Sequence, residues 1–400
     1  MAKSGERLAI EGGRPVRDTL LPYGRHRVEE EDIAAVVETL RSAWLTTGPK
    51  VGEFEEAISV FTQAKHAVAF SSGTAALHGA VFAAGLGAGD EAITTPLTFC
   101  ATANAVLYQG AKPVFADISA DTLNVDPADV ARRITKKTRA LLPVDYAGHP
   151  AELDTVLKLA REHHLIVIED ASHALGATYK QRRIGSISHM TVFSFHPVKH
   201  IACGEGGMVT TDDEALARRL RSFRNHGISS DVRQRQAAGQ WHYEMTELGY
   251  NYRLSDIACS LGLSQLRRIE GNLARRRAIA THYNSAFAGL TAVETPAVRG
   301  EVNPAWHLYY IRLRPHLLTC GRDEVFGALR AENIGVNVHY IPVHLHPYYR
   351  RREGHKPHTY PVAEAAYERL ITLPLFHSMG DEDVKDVIRA VEKVISHYSR

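Results

Sequence analysis

From Lys65 onward, short apolar runs rich in β-branched and aromatic residues alternate with segments of helical periodicity, and this alternation limits the fold more than any other feature of the chain. HAVAF, EAITT, PVFAD, ALLPV, LIVIED and TVFSF have the length and composition of buried strands. Amphipathic stretches lie between them at 127–134, 151–164 and 213–224, the last led by an acidic pair suited to a helix N-terminus. The pattern predicts an α/β architecture, a mostly parallel sheet covered by helices through right-handed crossovers.

After GYNYRLSD the character changes. Ser255 is placed to cap one long helix through ACSLGLSQLRRIEGNLARRRAIATHYNSAF, and a domain boundary is expected near Gln265. Residues 1–265 then form a large domain with an N-terminal arm. Residues 266–400 form a smaller α+β domain with strands HLYYIRL and GVNVHYI and a closing helix from Asp381 to Tyr398.

Charge is nearly balanced, 47 Lys+Arg against 45 Asp+Glu, a net +2, so no global field draws nucleic acid or an anionic membrane. Residues 67–89 and 92–111 carry no formal charge, but Gly, Ser, Thr, Asn and Pro interrupt them, which suits buried core better than a membrane span. The start, MAKSGERLAIEGGRPVRD, has no long apolar segment. Cys100, Cys203, Cys259 and Cys320 are scattered without a CxxC pair, which suits a reducing compartment and places the chain in the cytoplasm.

The chemistry concentrates in three strand-end motifs. In TVFSFHPVKHIACGEGGMVTTDD, Lys199 sits between an apolar strand and a Gly-rich turn that leads into another, where partial desolvation lowers an amine's pKa and suits a Schiff-base lysine. Ser194, five positions earlier, is either a phosphate ligand or an ordinary strand-end hydroxyl. In LIVIEDASHALGA an apolar strand ends at Asp170, placed either to pair with a protonated pyridine nitrogen or to cap the next helix. His173 is either a contact to the ring's phenolate oxygen or a satisfied core histidine.

In FSSGTAALHGA a strand turns through Ser72, Gly73 and Thr74 into a helix, which aims backbone N–H groups at an anion; alone, such a turn is common. Phe99 can stack on a flat heteroaromatic ring or belong to the core. Asn251 and Arg253, in GYNYR, are candidates for phosphate or carboxylate groups. His339, His344 and His346, in VHYIPVHLHPYY, have no acidic or cysteine partner at ligand spacing, so they read as pocket lining and no metal is expected. A nucleotide-sugar dehydrogenase or epimerase would need a dinucleotide fingerprint, and none is present. A catalytically silent cofactor-binding regulator is the other class that keeps these motifs.

Taken together, SSGTAALH, TPLTFCATANA, EDASHALGA, FSFHPVKHIACGEGGM, RNHG and GYNYRLSDIACSLGLSQL resemble the DegT/DnrJ/EryC1/StrS family of sugar-nucleotide aminotransferases over nearly the whole chain. Lys199 stands where the family's deoxygenating members have histidine. The resemblance implies the aspartate-aminotransferase-like fold (fold type I of pyridoxal-phosphate-dependent transferases) and a homodimer with active sites at the interface. It also implies pyridoxal 5′-phosphate as cofactor and L-glutamate with a nucleotide sugar as substrates. By the motif match Lys199 carries the cofactor, Asp170 pairs with its ring nitrogen and His173 meets its ring oxygen. Ser72, Gly73, Thr74 and Ser194 hold the phosphate, Phe99 stacks, and Asn251 reaches in from the partner subunit.

Within the family, LPYGRH, WLTTGPKVGEFE, VDYAGHP and VHYIPVHLHPYY look most like the branch serving pseudaminic acid biosynthesis. That likeness implies a sugar-nucleotide pocket lined by Tyr23, the 43–46 segment with Trp44, Leu45 and Thr46, and His339 with Tyr340, with Arg253 also near substrate. The leader SGERLAIEGGRPVRD is similar instead to other branches, such as the aminotransferases of antibiotic sugars.

Overall fold

Strands β1 (His66–Phe70), β2 (Glu91–Thr94), β3 (Lys112–Phe115), β4 (Thr138–Leu142), β5 (Ile166–Asp170), the two-residue β6 (Thr178–Tyr179) and β7 (Arg182–Arg183), β8 (Met190–Ser194) and β9 (Gly207–Thr211) follow one another in the computed structural model. The structure describes residues 6–228, 235, 238–354 and 356–400. Seven of these strands form one sheet in the order β1-β9-β8-β5-β4-β2-β3. β9 runs antiparallel to β1 and β8, and all other pairs are parallel. The carboxyl ends of β1, β2, β4, β5 and β8 therefore open on one rim, where ligands of open α/β sheets bind.

Both faces of the sheet are covered. The helix Gly73–Ala83, apolar all round, packs with Phe223 of the helix Glu214–Phe223 against Val68, Phe70, Val192 and Val209. On the other face Phe54, Ile58, Phe193, Phe195, Met208 and Leu273 form a second buried layer. Fully burying side chains of this size contributes roughly 1.5–3 kcal/mol each. No helix among the described residues is long and apolar enough to cross a membrane.

The C-terminal part has its own core, in which Tyr283, Phe287, Ile311, Leu329, Ile371 and Val391 pack with Leu8 and Leu21 from the N-terminal arm. Glu332, fully buried, ties that arm down by accepting from Ala9 N and Val16 N while it pairs with Lys393 at 2.9 Å. The sheet here consists of β10 (Val293–Glu294), β12 (Tyr309–Leu313) and β13 (Leu370–Leu373), and the short β11 (Val302–Asn303) instead pairs with β6.

Two expectations about this region are corrected. GVNVHYI is not a strand: it makes one isolated bridge, Asn337 with Thr372, and the residue before it, Ile334, bridges Leu21, because LITL takes the place beside β12 and the segment turns away to wall a cavity. The expected single long helix is two, Asp256–Leu266 and Ile269–Phe287. Side chains at the break are held elsewhere: Gln265 accepts from Ala202 N, and Arg268 donates to both oxygens of Asp32.

Behind the carboxyl end of β5, Asp145 and Glu169 are both fully buried, and their carboxyl groups are hydrogen-bonded to one another. Burial, then the charges of Glu169 and Asp170, holds the Asp145 carboxyl well above its ordinary range, and burial also raises Glu169. The folded state thus keeps a proton that the unfolded chain releases. The associated stability is fully present below the ordinary carboxyl range and is lost as pH rises through the raised folded values. Asp145→Asn, whose amide can donate to Glu169, is expected to flatten that decline and raise Tm by roughly 1–3 °C at about pH 8 while changing little near about pH 5. Thermal melts across that range that show an unchanged slope contradict this.

Candidate active site

The rim of the sheet encloses a cavity of about 600 Å3. Each wall comes from the exit of a different strand: Ser72 after β1, Phe99 after β2, Val144 after β4, Asp170 at the end of β5, and Ser194 at the end of β8.

At one end, Ser72 caps the helix Gly73–Ala83 by accepting from Ala75 N at 3.1 Å, so the free first-turn amides of Gly73 and Thr74 face the cavity with the positive end of the helix. This close junction needs glycine. A Cβ on Gly73 would lie 2.9 Å from Ser194 Cβ, and one on Gly207 would lie 2.4 Å from the Ser72 carbonyl oxygen. Helix start, strand end and hydroxyls meet in a cradle suited to a phosphate dianion.

At the other end, Asp170 is buried and fixed on both oxygens. Oδ2 accepts from Thr102 Oγ1 at 2.7 Å, and Oδ1 accepts from Ser172 N at 3.2 Å and Ser172 Oγ at 2.6 Å. Thr102 is in turn joined to Thr98 at 2.9 Å. A carboxylate held this rigidly is suited to a cationic ring N–H.

Lys199 lines the same cavity. Burial pushes its amine down to about 8; Asp170 pulls in the opposite direction and Arg276 adds to the depression. An appreciable neutral fraction near neutral pH is what a carbonyl-trapping amine requires. His173 Nε2 lies 3.0 Å from Tyr340 Oη, while its buried Nδ1 has no hydrogen-bond partner among the described residues. Burial, with the nearby charges of Lys199, His339 and His200, holds this imidazole neutral. Phe99, 56% exposed, lies 6.0 Å from the Tyr340 ring across the opening, and Tyr23 stands 5.3 Å from the His339 ring.

The structure therefore gathers Lys199, Asp170, His173, Ser72, Gly73, Thr74, Ser194, Phe99, Tyr23, His339 and Tyr340 around one space. It does not bring Trp44, Leu45, Thr46, Asn251 or Arg253 to that space within a single chain. Leu45 is 47% exposed, Thr46 bridges Ser255, Asn251 is exposed beside Asn225, and Arg253 donates to Asn225 Oδ1 at 2.7 Å. Thr98, Thr102, Ser172 and His307 also line the cavity and were not singled out from sequence. The one available signal was the run of hydroxyls around Phe99. The histidines read together at 339–346 separate: His344 turns into the core and meets Glu364 at 3.1 Å, and His346 faces away from this cavity.

The residues present fit pyridoxal 5′-phosphate: an amine for the aldehyde, a fixed carboxylate for the ring nitrogen, an imidazole in the same cavity for the ring oxygen, and a phosphate cradle. Pyridoxal 5′-phosphate is the cofactor of this enzyme.

Comparison with known proteins agrees. SpsC of Bacillus subtilis, a spore coat polysaccharide biosynthesis protein, is 46% identical over 381 residues, 95% of this chain and 98% of that one. Among solved structures, PseC of Helicobacter pylori, an aminotransferase involved in the biosynthesis of pseudoaminic acid, superposes with a TM-score of 0.88 at 32% identity, covering 95% of this chain and 100% of that one. Spr1654 of Streptococcus pneumoniae in its PLP form superposes with a TM-score of 0.88 at 33% identity, covering 94% and 99%. The DegT/DnrJ/EryC1/StrS aminotransferase family matches residues 26–392, and this chain belongs to it.

Proposed function

We propose that the enzyme moves the amino group of L-glutamate onto the 4-keto carbon of a UDP-linked 6-deoxy sugar, UDP-2-acetamido-2,6-dideoxy-β-L-arabino-hexos-4-ulose, giving the 4-amino sugar nucleotide. The observation that carries amino transfer is the shared cavity of Lys199 and Asp170, with a helix N-terminus at its far end. Support for the keto sugar comes from the likeness to PseC and from the opening bounded by Tyr23, His339 and Tyr340.

When bound, pyridoxal phosphate supplies an electron-poor ring that stabilises negative charge at the donor's α-carbon. In this reading Ser72, Gly73, Thr74 and Ser194 hold its phosphate, Phe99 covers its ring and His173 meets its ring oxygen. Asp170 keeps the ring nitrogen protonated. Lys199 holds the cofactor at rest; released by the donor, its amine takes the proton from the donor's α-carbon and later returns one to the sugar's C4.

Trp44, Leu45, Thr46, Asn251 and Arg253 are assigned to the site of a second copy in a homodimer. Trp241, Tyr243, Met245 and Leu248, all more than half exposed, supply apolar surface for that copy. The division at residue 265 then separates a cofactor-binding part from a part that closes over the sugar. The four free cysteines suit the cytoplasm.

Purified enzyme supplied with glutamate and a panel of 3- and 4-keto UDP-, dTDP- and GDP-hexoses should release 2-oxoglutarate fastest with the UDP-linked 4-keto sugar. Faster release with a dTDP or GDP sugar would replace the substrate assignment by the perosamine or antibiotic-sugar alternative. No release with any sugar, and none from glutamate alone, would leave a silent cofactor-binding relative.

A further inference from the structure

His307, two residues before β12, lines the cavity but has no part in the chemistry proposed above. Its ring centroid lies 4.4 Å from that of His173, with 37° between the planes, so the two buried imidazoles are in direct contact. Tyr340 holds the same His173 ring by its edge, with Oη 3.0 Å from Nε2. The imidazole contact joins the two parts of the chain, because His173 follows β5 of the large sheet and His307 leads into the small one.

The backbone that carries His307 is fixed from several directions. Trp306 stands at φ +50°, a conformation that a bulky side chain adopts only where its surroundings impose it. Ala305 N donates to Gly148 O at 2.9 Å and Leu308 N to Ala147 O at 3.3 Å. From a second side the buried Arg276 donates through Nη1 to Trp306 O at 3.1 Å and His307 O at 3.3 Å, and His200 Nε2 lies 3.0 Å from Ala305 O. Glycine is required where this frame is closest: a Cβ on Gly148 would lie 2.8 Å from Trp306 N and 3.0 Å from His307 N. Strain retained by so dense a frame fixes the direction in which the next side chain leaves the backbone.

We propose that His307 is a positioning residue for His173: its ring packs against the imidazole that meets the cofactor's ring oxygen and fixes the plane of that imidazole, keeping Nε2 beside Tyr340. Without this surface His173 is free to turn about its two side-chain bonds, and part of the cofactor's binding free energy goes into ordering it again. The proposal rests on the assignment of His173 to the cofactor.

The test is a double-mutant cycle on full-length enzyme stripped of cofactor, with the Kd for pyridoxal 5′-phosphate read by equilibrium dialysis. His307→Leu, which keeps apolar bulk but removes the flat ring, is expected to raise Kd about five- to tenfold, and His307→Phe, which restores a ring, should stay within about twofold of wild type. In a His173→Ala background, His307→Leu should change Kd by less than about twofold, because no imidazole is left for it to position. An unchanged Kd in His307→Leu overturns the proposal. So does the same fold increase with and without His173, which would make His307 a packing residue or a direct ligand. Where leucine disturbs folding, His307→Gln, polar and ringless, takes its place in the cycle with the same expected outcome. An unchanged Kd in His173→Ala itself would instead remove the assignment of His173 to the cofactor, and the proposal with it.

Discussion

Lys199→Ala is expected to reduce amino transfer by at least about 10^4-fold, because in the proposed function one amine both holds the cofactor and moves the α-proton, and among the described residues no second lysine lines the cavity. The loss should appear in the isolated glutamate half-reaction, followed by 2-oxoglutarate release, as well as in full turnover. The fold should survive, since Lys199 stands at a cavity wall and its backbone N–H bond to His196 O does not depend on the side chain. Borohydride treatment of wild type should leave a pyridoxyl group on the Lys199 peptide. Substantial half-reaction activity in the alanine variant would refute the role.

Asp170→Asn should lower turnover by on the order of 10^2- to 10^3-fold through a different cause. Asparagine has nearly the same shape and can still accept from Thr102 or Ser172, but it carries no negative charge to keep a ring nitrogen protonated. Its NH2 group would also face a hydroxyl or backbone donor, or the ring nitrogen itself, where the carboxylate accepted. Cofactor should still bind, with Tm within a few degrees of wild type, and the defect should lie in the rate of α-proton removal. A primary isotope effect with α-deuterated glutamate larger than in wild type would show this. Wild-type turnover in Asp170→Asn would remove the carboxylate from the mechanism.

Much of this site was legible because of where strands end. Lys199, Ser194, Asp170, Ser72, Gly73 and Phe99 all lie at or just beyond runs whose apolar composition marks them as buried strands. Parallel pairing brings such ends to one rim whatever the details of packing. Asp170 is the clearest case: LIVIED predicts both the strand and the polar residue at its mouth. Tyr23 and Tyr340 carry no such signal and are nameable only through resemblance, since the first lies in an arm and the second in a segment whose composition suggests a strand, whereas the polar density of VHYIPVHLHPYY already marks His339 as pocket lining. Thr102 and Ser172 escaped notice because a hydroxyl one helical turn from a candidate aromatic, or two residues from an acid, has many ordinary uses.

The sequence by itself determined the α/β class, the order of the strands along the chain and the chemical inventory at their ends, because alternating burial is written locally as periodicity and residue type. Only the tertiary structure decided that β13 displaces GVNVHYI from the small sheet, that the helix beyond Ser255 breaks at Arg267 and Arg268, that Asp145 and Glu169 are buried against one another, and that Arg276 is buried against the carbonyls of Trp306, His307 and Leu375. These outcomes depend on desolvation and on carbonyls distant in sequence, such as that of Leu375 for Arg276. Neither leaves a trace in the spacing of neighbouring residues.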